Sequence, residues 1–160
     1  MTGQCDGRLP SVIGEGALMT NGGREQPGTI SIAPNLSVRN GAAAVDFYAH
    51  AFGAITVYRV DAPDGAVVAR LAVAGAEFWV SDESPEHGNF SPATLGGGTV
   101  RLTFTVPDPD AMVAMALAAG AAEVVPVEEA YGWRVGRVVD PFGHHWEIGK
   151  PLTPQCPHRW

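Results

Sequence analysis

Near the end of the chain, His145 and Glu147 stand two residues apart in the segment HHWEIG. In an extended segment, residues i and i+2 project from one face about 7 Å apart, so an imidazole and a carboxylate would share a surface. Both groups ligate metals, and both move protons. A metal at this pair would still need a third ligand, which only His87, in a loop, could supply by folding in. Zinc, nickel, iron or manganese are the ions such a set would take. Otherwise His145 is a hydrogen-bonding residue. Arg101, Thr103 and Thr105 alternate with Val100, Leu102, Phe104 and Val106, so a guanidinium and two hydroxyls form one face of a second extended segment. Asn35 and Ser37, and Glu77, Trp79 and Ser81, form comparable faces earlier in the chain. His50 and His158 fall on a helix and in the tail, where surface positions are expected.

These side chains need strands to aim them. Residues 30–38 alternate, with Ile30, Ile32, Leu36 and Val38 on one face and Ser31, Ala33, Asn35 and Ser37 on the other. Asn40 is a helix N-cap, Val45, Tyr48 and Phe52 recur at helical spacing, and Gly53 is a C-terminal stop. Strands are expected at about 55–60, 66–73 and 76–82, the first two joined by the turn Ala62-Pro63-Asp64-Gly65. The same order then returns. Residues 99–106 form a strand, Asp108 caps a helix with Pro109 at its first position, and Met112, Met115 and Ala119 share its inward face before Gly120. Strands near 122–128, 132–139 and 144–148 complete the second unit.

The halves match at a spacing of 68 residues, which pairs Val38 with Val106, Ala54 with Ala122 and Gly75 with Gly143. The fold class is therefore α+β: two tandem βαβββ modules forming a paired, curved mixed sheet around a cavity. Each helix covers the apolar face of its own sheet, leaving the polar faces to line a shared concavity. One domain spans 29–150, with module one at 29–83, a linker or lid loop at 84–98 and module two at 99–150. Residues 1–28 read as a flexible arm and 151–160 as an irregular tail; Met19 offers an alternative start.

Composition limits the function classes. With 46% hydrophobic and 17% charged residues the chain is globular, and a net charge of −7 gives no footprint for nucleic acid or an anionic membrane. No stretch reaches the roughly 20 apolar residues of a membrane span, and the opening lacks the pattern of a signal peptide. Cys5 and Cys156 suggest neither a zinc site nor a disulfide, so a cytoplasmic location is the default.

Through AAAVDFYAHAFGA, SDESPE, LGGGTVRLTF and DPFGHHWEI, residues 30–150 resemble the vicinal oxygen chelate superfamily of glyoxalases, bleomycin-resistance proteins and dioxygenases, its PhnB-like branch in particular. In metal-dependent members of that superfamily, the resemblance places ligands on the first and last strand of each module. Here those positions are Ala33, Trp79, Arg101 and Glu147, and only Glu147 can bind a metal. The implied alternative is a polar recognition centre. Arg101 would hold an oxyanion, and Glu147, beside a wall such as Trp79, would accept a hydrogen bond or act as general base. The two could equally neutralise each other across a buried gap. Phe90, Tyr131 and Trp133 are further pocket-wall candidates. The ligand-binding set is thus Arg101, Trp79, His145, Thr103, Asn35, Phe90 and Trp133, with Glu147 as the catalytic candidate. The expected function is binding of a small organic ligand between modules by a homodimer with a degenerate metal site. A metal-dependent lyase, isomerase or dioxygenase, or a metal-free acid–base catalyst using Glu147, is the alternative.

Overall fold

Strand alternation and helix capping organise the computed structural model, which describes residues 30–153. The N-terminal arm with Met19 and Cys5, and the tail from residue 154 with Cys156 and His158, lie outside the described residues. The chain divides into two units, 1–30 and 31–160, and all that follows concerns the second except for Ile30 itself.

The first half runs β1 (Asn35–Val38), α1 (Gly41–Phe52), β2 (Ile55–Asp61), β3 (Val67–Val73) and β4 (Ala76–Asp82). After a 3-10 turn at Pro85–His87 and the short helix α2 (Pro92–Leu95), the pattern repeats. It comprises β5 (Arg101–Thr105), α3 (Pro109–Ala119), β6 (Ala122–Ala130), β7 (Trp133–Val139) and β8 (His145–Pro151). Each half forms a four-stranded mixed sheet, in the orders β1-β4-β3-β2 and β5-β8-β7-β6. In both, the first strand lies parallel to the last and the other pairs are antiparallel. The architecture is the expected α+β pair of βαβββ units.

Local chemistry starts and stops the helices where the sequence indicates. Asn40 Oδ1 accepts from the Ala43 amide at 3.0 Å, and Asp108 Oδ1 from the Ala111 amide at 3.1 Å. Gly53 closes α1 with φ 66°, in the left-handed region open to glycine. Helix α1 covers β3 and β4, α3 covers β6, β7 and β8, and the two helices also pack on each other. The two sheets therefore share one core. Tyr48, Phe52 and Phe78 of the first half meet Trp146 of the second, with ring centroids 4.7–5.6 Å apart. Asp140 is the polar knot of that core. Its carboxylate accepts from Tyr48 Oη at 2.6 Å, Trp146 Nε1 at 2.9 Å and the amides of Phe142 and His144 at 3.0 and 2.9 Å. Burial, followed by the Asp140 charge, pushes the Tyr48 hydroxyl well above its usual pKa.

Several expectations need correction. The first strand begins at Asn35, not residue 30, because Pro34 brings no N–H to a ladder. Ile30 and Ile32 are exposed instead of buried. The fifth strand begins at Arg101, which leaves Val100 exposed. On α3 the inward residues are Pro109, Val113 and Ala116; Met115, one position from Ala116 and so about 100° around the helix, is 46% exposed. The segment between modules is ordered. Glu83 accepts from the Ser91 amide at 2.8 Å and from Thr94 Oγ1 at 2.7 and 2.8 Å, while Arg39 donates to Thr94 Oγ1 and the Ala93 carbonyl. Those bonds, with Ser91 first, hold the Glu83 carboxyl down at about 2.

Candidate functional site

The outer face of the second sheet, away from α3, gathers most of the polar chemistry. The parallel register sets Arg101 beside His145 and Thr103 beside Glu147. On the other side of β8, Arg137 lies opposite Glu147 and Val135 opposite Gly149. Arg101 Nη1 stands 3.6 Å from Glu147 Oε2, with the side chains 57% and 35% exposed. This is an open pair, worth about 0–1 kcal/mol, and not the buried neutralising pair that the sequence allowed. Its charges stay available to a ligand.

Two shallow pockets occupy this face. One, of about 220 Å³, is lined by Thr103, Tyr131, Trp133, Val135, Glu147 and Gly149 together with Ala130. The other, of about 170 Å³, is lined by Arg101, Val125, Val135, Gly136, Arg137 and Glu147. Tyr131, at the tip of the β6–β7 hairpin with φ 53°, is fully exposed at the edge of the first pocket. Around the edge of β5, an apolar cleft of about 380 Å³ opens between the modules over Phe52, Phe78, Phe104 and Trp146. Arg101 and Thr103 border the cleft as well as the outer pockets.

The structure thus brings Arg101, Thr103, Trp133 and Glu147 together. Asn35 and Trp79 lie apart from them, on the outer face of the first sheet. There Ser81 donates to Asn35 at 3.1 Å, and Trp79 packs against Tyr58 at 5.9 Å between centroids and under the Arg70 guanidinium at 5.6 Å. Trp79 is therefore not the wall beside Glu147; Trp133 and Val135 are. The register explains this, because Trp79 pairs with Asn35 and Arg70 whereas Glu147 pairs with Thr103 and Arg137. Phe90 sits in the connecting segment, 42% exposed, and lines none of these three cavities. His145 lines none either, and its Nδ1 is buried without a hydrogen-bond partner among the described residues. His87 pairs with its neighbour Glu86, at 3.4 Å. Arg137 was missed in the sequence, although the alternation Trp133, Val135, Arg137 in WRVGRVV places it on the same face.

The donor chemistry does not suit a divalent metal. Of Ala33, Trp79, Arg101 and Glu147, the positions that the resemblance implies for ligands, only Glu147 carries a carboxylate, and the Arg101 guanidinium stands 3.6 Å from it, opposing a dication. Among the described residues, no group of three or more His, Cys, Asp or Glu side chains could hold a metal ion. No helix among them is long and apolar enough to cross a membrane.

The sequence pattern of the Glyoxalase/Bleomycin resistance protein/Dioxygenase superfamily matches residues 30–148. Rv0887c of Mycobacterium tuberculosis (strain ATCC 25618 / H37Rv) is 40% identical over 127 residues, 76% of this chain and 75% of that protein. The crystal structure of the Arabidopsis thaliana At5g48480 product is 32% identical with a TM-score of 0.61, covering 76% of this chain and 99% of that one. TnmS3, an antibiotic binding protein from Streptomyces sp. CB03234, shares the fold at 23% identity and a TM-score of 0.55, over 76% of this chain and 97% of its own.

Proposed function

The chain belongs to the Glyoxalase/Bleomycin resistance protein/Dioxygenase superfamily, and from that premise we propose that it binds a small organic molecule on the Arg101–Glu147 face without a metal. The observation that carries this reading is the open Arg101–Glu147 pair at the junction of three cavities. Arginine offers a planar fork of donors, Glu147 an acceptor, and Trp133 with Val135 an apolar wall. TnmS3, an antibiotic binding protein of the same fold, is consistent with such a use.

A homodimer completes the site in this reading. Among the described residues, the outer edges of β1 and β5 have no partner strand in their sheets, and the apolar residues just before them, Ile32 and Val100, are 98% and 67% exposed. Unpaired edges with exposed apolar flanks are what a second copy would cover. Pairing β1 of one copy with β5 of the other would set the Trp79 platform beside the Glu147 pocket. A second reading, acid–base catalysis by Glu147, is favoured by one feature: that carboxylate lines both outer pockets.

The test is a thermal-shift screen of small organic compounds. A ligand at a hundredfold excess over its dissociation constant stabilises the protein by about 2.7 kcal/mol. The gain should shrink in Arg101→Ala and in Trp133→Ala. Hits that stabilise both variants as well as the wild type would show that the binding site lies elsewhere. Sedimentation at several concentrations tests the dimer, which a monomer throughout would remove.

A further inference from the structure

The outer pocket around Glu147 holds more positive than negative charge. It is lined by two guanidinium groups, Arg101 and Arg137, against one carboxylate. Arg101 spends one contact on Glu147. Arg137 spends none: it makes no hydrogen bond or ion pair among the described residues, and its Nε is buried without a partner. Two places along the same face, His145 Nδ1 is likewise buried and unpartnered. Buried donors are ordinarily satisfied, and each exception calls for a partner that the chain itself does not provide. The acidic residues of β6, Glu123, Glu128 and Glu129, are exposed and line neither outer pocket.

We infer that Arg137 and Arg101 form a two-armed clamp for the anionic group of the ligand, and that the ligand is an organic acid with an apolar, aromatic-sized body. The inference deepens the proposed binding function and rests on it. The chain as a whole carries a net charge of −7, so this local excess of arginine runs against the overall balance and selects anions at the site alone. A carboxylate, sulfonate or phosphonate would take the Arg137 fork and share Arg101 with Glu147, as charge-assisted bidentate contacts do. Trp133 and Val135, on the same face of β7 as Arg137, would hold the body. Arg137 is the specificity-determining residue in this arrangement.

Three naphthalene probes of equal size separate the outcomes by calorimetric titration of the full-length protein: 1-naphthoate, 1-naphthamide and 1-naphthylmethylammonium. The expected result is that naphthoate binds more tightly than the other two. Arg137→Gln should lower its affinity about tenfold or more, as loss of a charged hydrogen bond does, with Arg137→Lys recovering part. Unchanged melting temperatures would show that the variants fold. Preference for the ammonium probe or equal naphthoate affinity in Arg137→Gln would each overturn the clamp. If the amide or ammonium binds and Trp133→Ala abolishes it, the binding function stands while the clamp falls. Failure of all three probes to bind would overturn both.

Discussion

Replacing Asp140 by alanine should cost more stability than any other single truncation in the second half. Four donors meet its carboxylate: Tyr48 Oη, Trp146 Nε1 and the backbone amides of Phe142 and His144. Asp140 is 4% exposed and Tyr48 fully buried, so little water reaches them. An orphaned buried donor costs about 1–3 kcal/mol; four of them at the low end give about 4 kcal/mol. Tyr48→Phe removes one donor and leaves three, so it should cost about 1.5–3 kcal/mol, the range for a bond to a charged group. Once Asp140 is gone the tyrosine hydroxyl has no acceptor, so adding Tyr48→Phe to Asp140→Ala should cost almost nothing. Urea denaturation followed by tryptophan fluorescence and circular dichroism, at fixed protein concentration, measures all three variants. A cost below about 1.5 kcal/mol for Asp140→Ala, or simple additivity of the two substitutions, would refute the view that this carboxylate locks one half to the other.

Three further outcomes are expected. Tyr48 keeps its proton more tightly folded than unfolded, so its stabilising contribution is complete below about pH 10 and is lost as pH rises beyond that. In an absorbance titration, Tyr48 should ionise only together with unfolding. Glu83 has the opposite sign: its lowered pKa gives stability that is present above about 4.5 and lost as pH falls toward about 2. Protection of the Ser91 amide against hydrogen exchange, relative to its intrinsic rate at each pH, should therefore fall across that acid window in the wild type, and be lower already at neutral pH in Glu83→Gln. Gly41→Ala should destabilise by about 1–3 kcal/mol, because a Cβ there would lie 2.5 Å from Asp82 Oδ2 and 2.9 Å from Val67 Cβ; thermal melting checks it, and a neutral result would mean that Asp82 can move aside.

Much of the fold could be read because its signals are local. Asn40, Asp108, Gly53 and Gly120 act within one turn of chain, and strand alternation sorted Leu36, Val38 and Val106 onto the buried face. Where reading failed, a distant residue decided. Ile30 and Ile32 fit the alternation, yet Pro34 cuts the ladder before them. Met115 fits a helical stripe drawn one position off the line that meets the sheet. At the site, Arg101, Thr103 and Glu147 were found because they share a face with adjacent register. Trp79 was placed beside Glu147 because the repeat shows equivalence between halves, not proximity within one chain. The DPFGHHW motif was legible as a signature but not as a role: Asp140 is tied to Tyr48, 92 residues earlier, and no local pattern reveals that bond.

The central claim, that the Arg101–Glu147 face works without a bound metal, is tested most directly by elemental analysis of protein purified without chelator. The account predicts zinc, nickel, iron and manganese each far below one ion per chain. Close to one ion per chain, lost in Glu147→Ala, would contradict it.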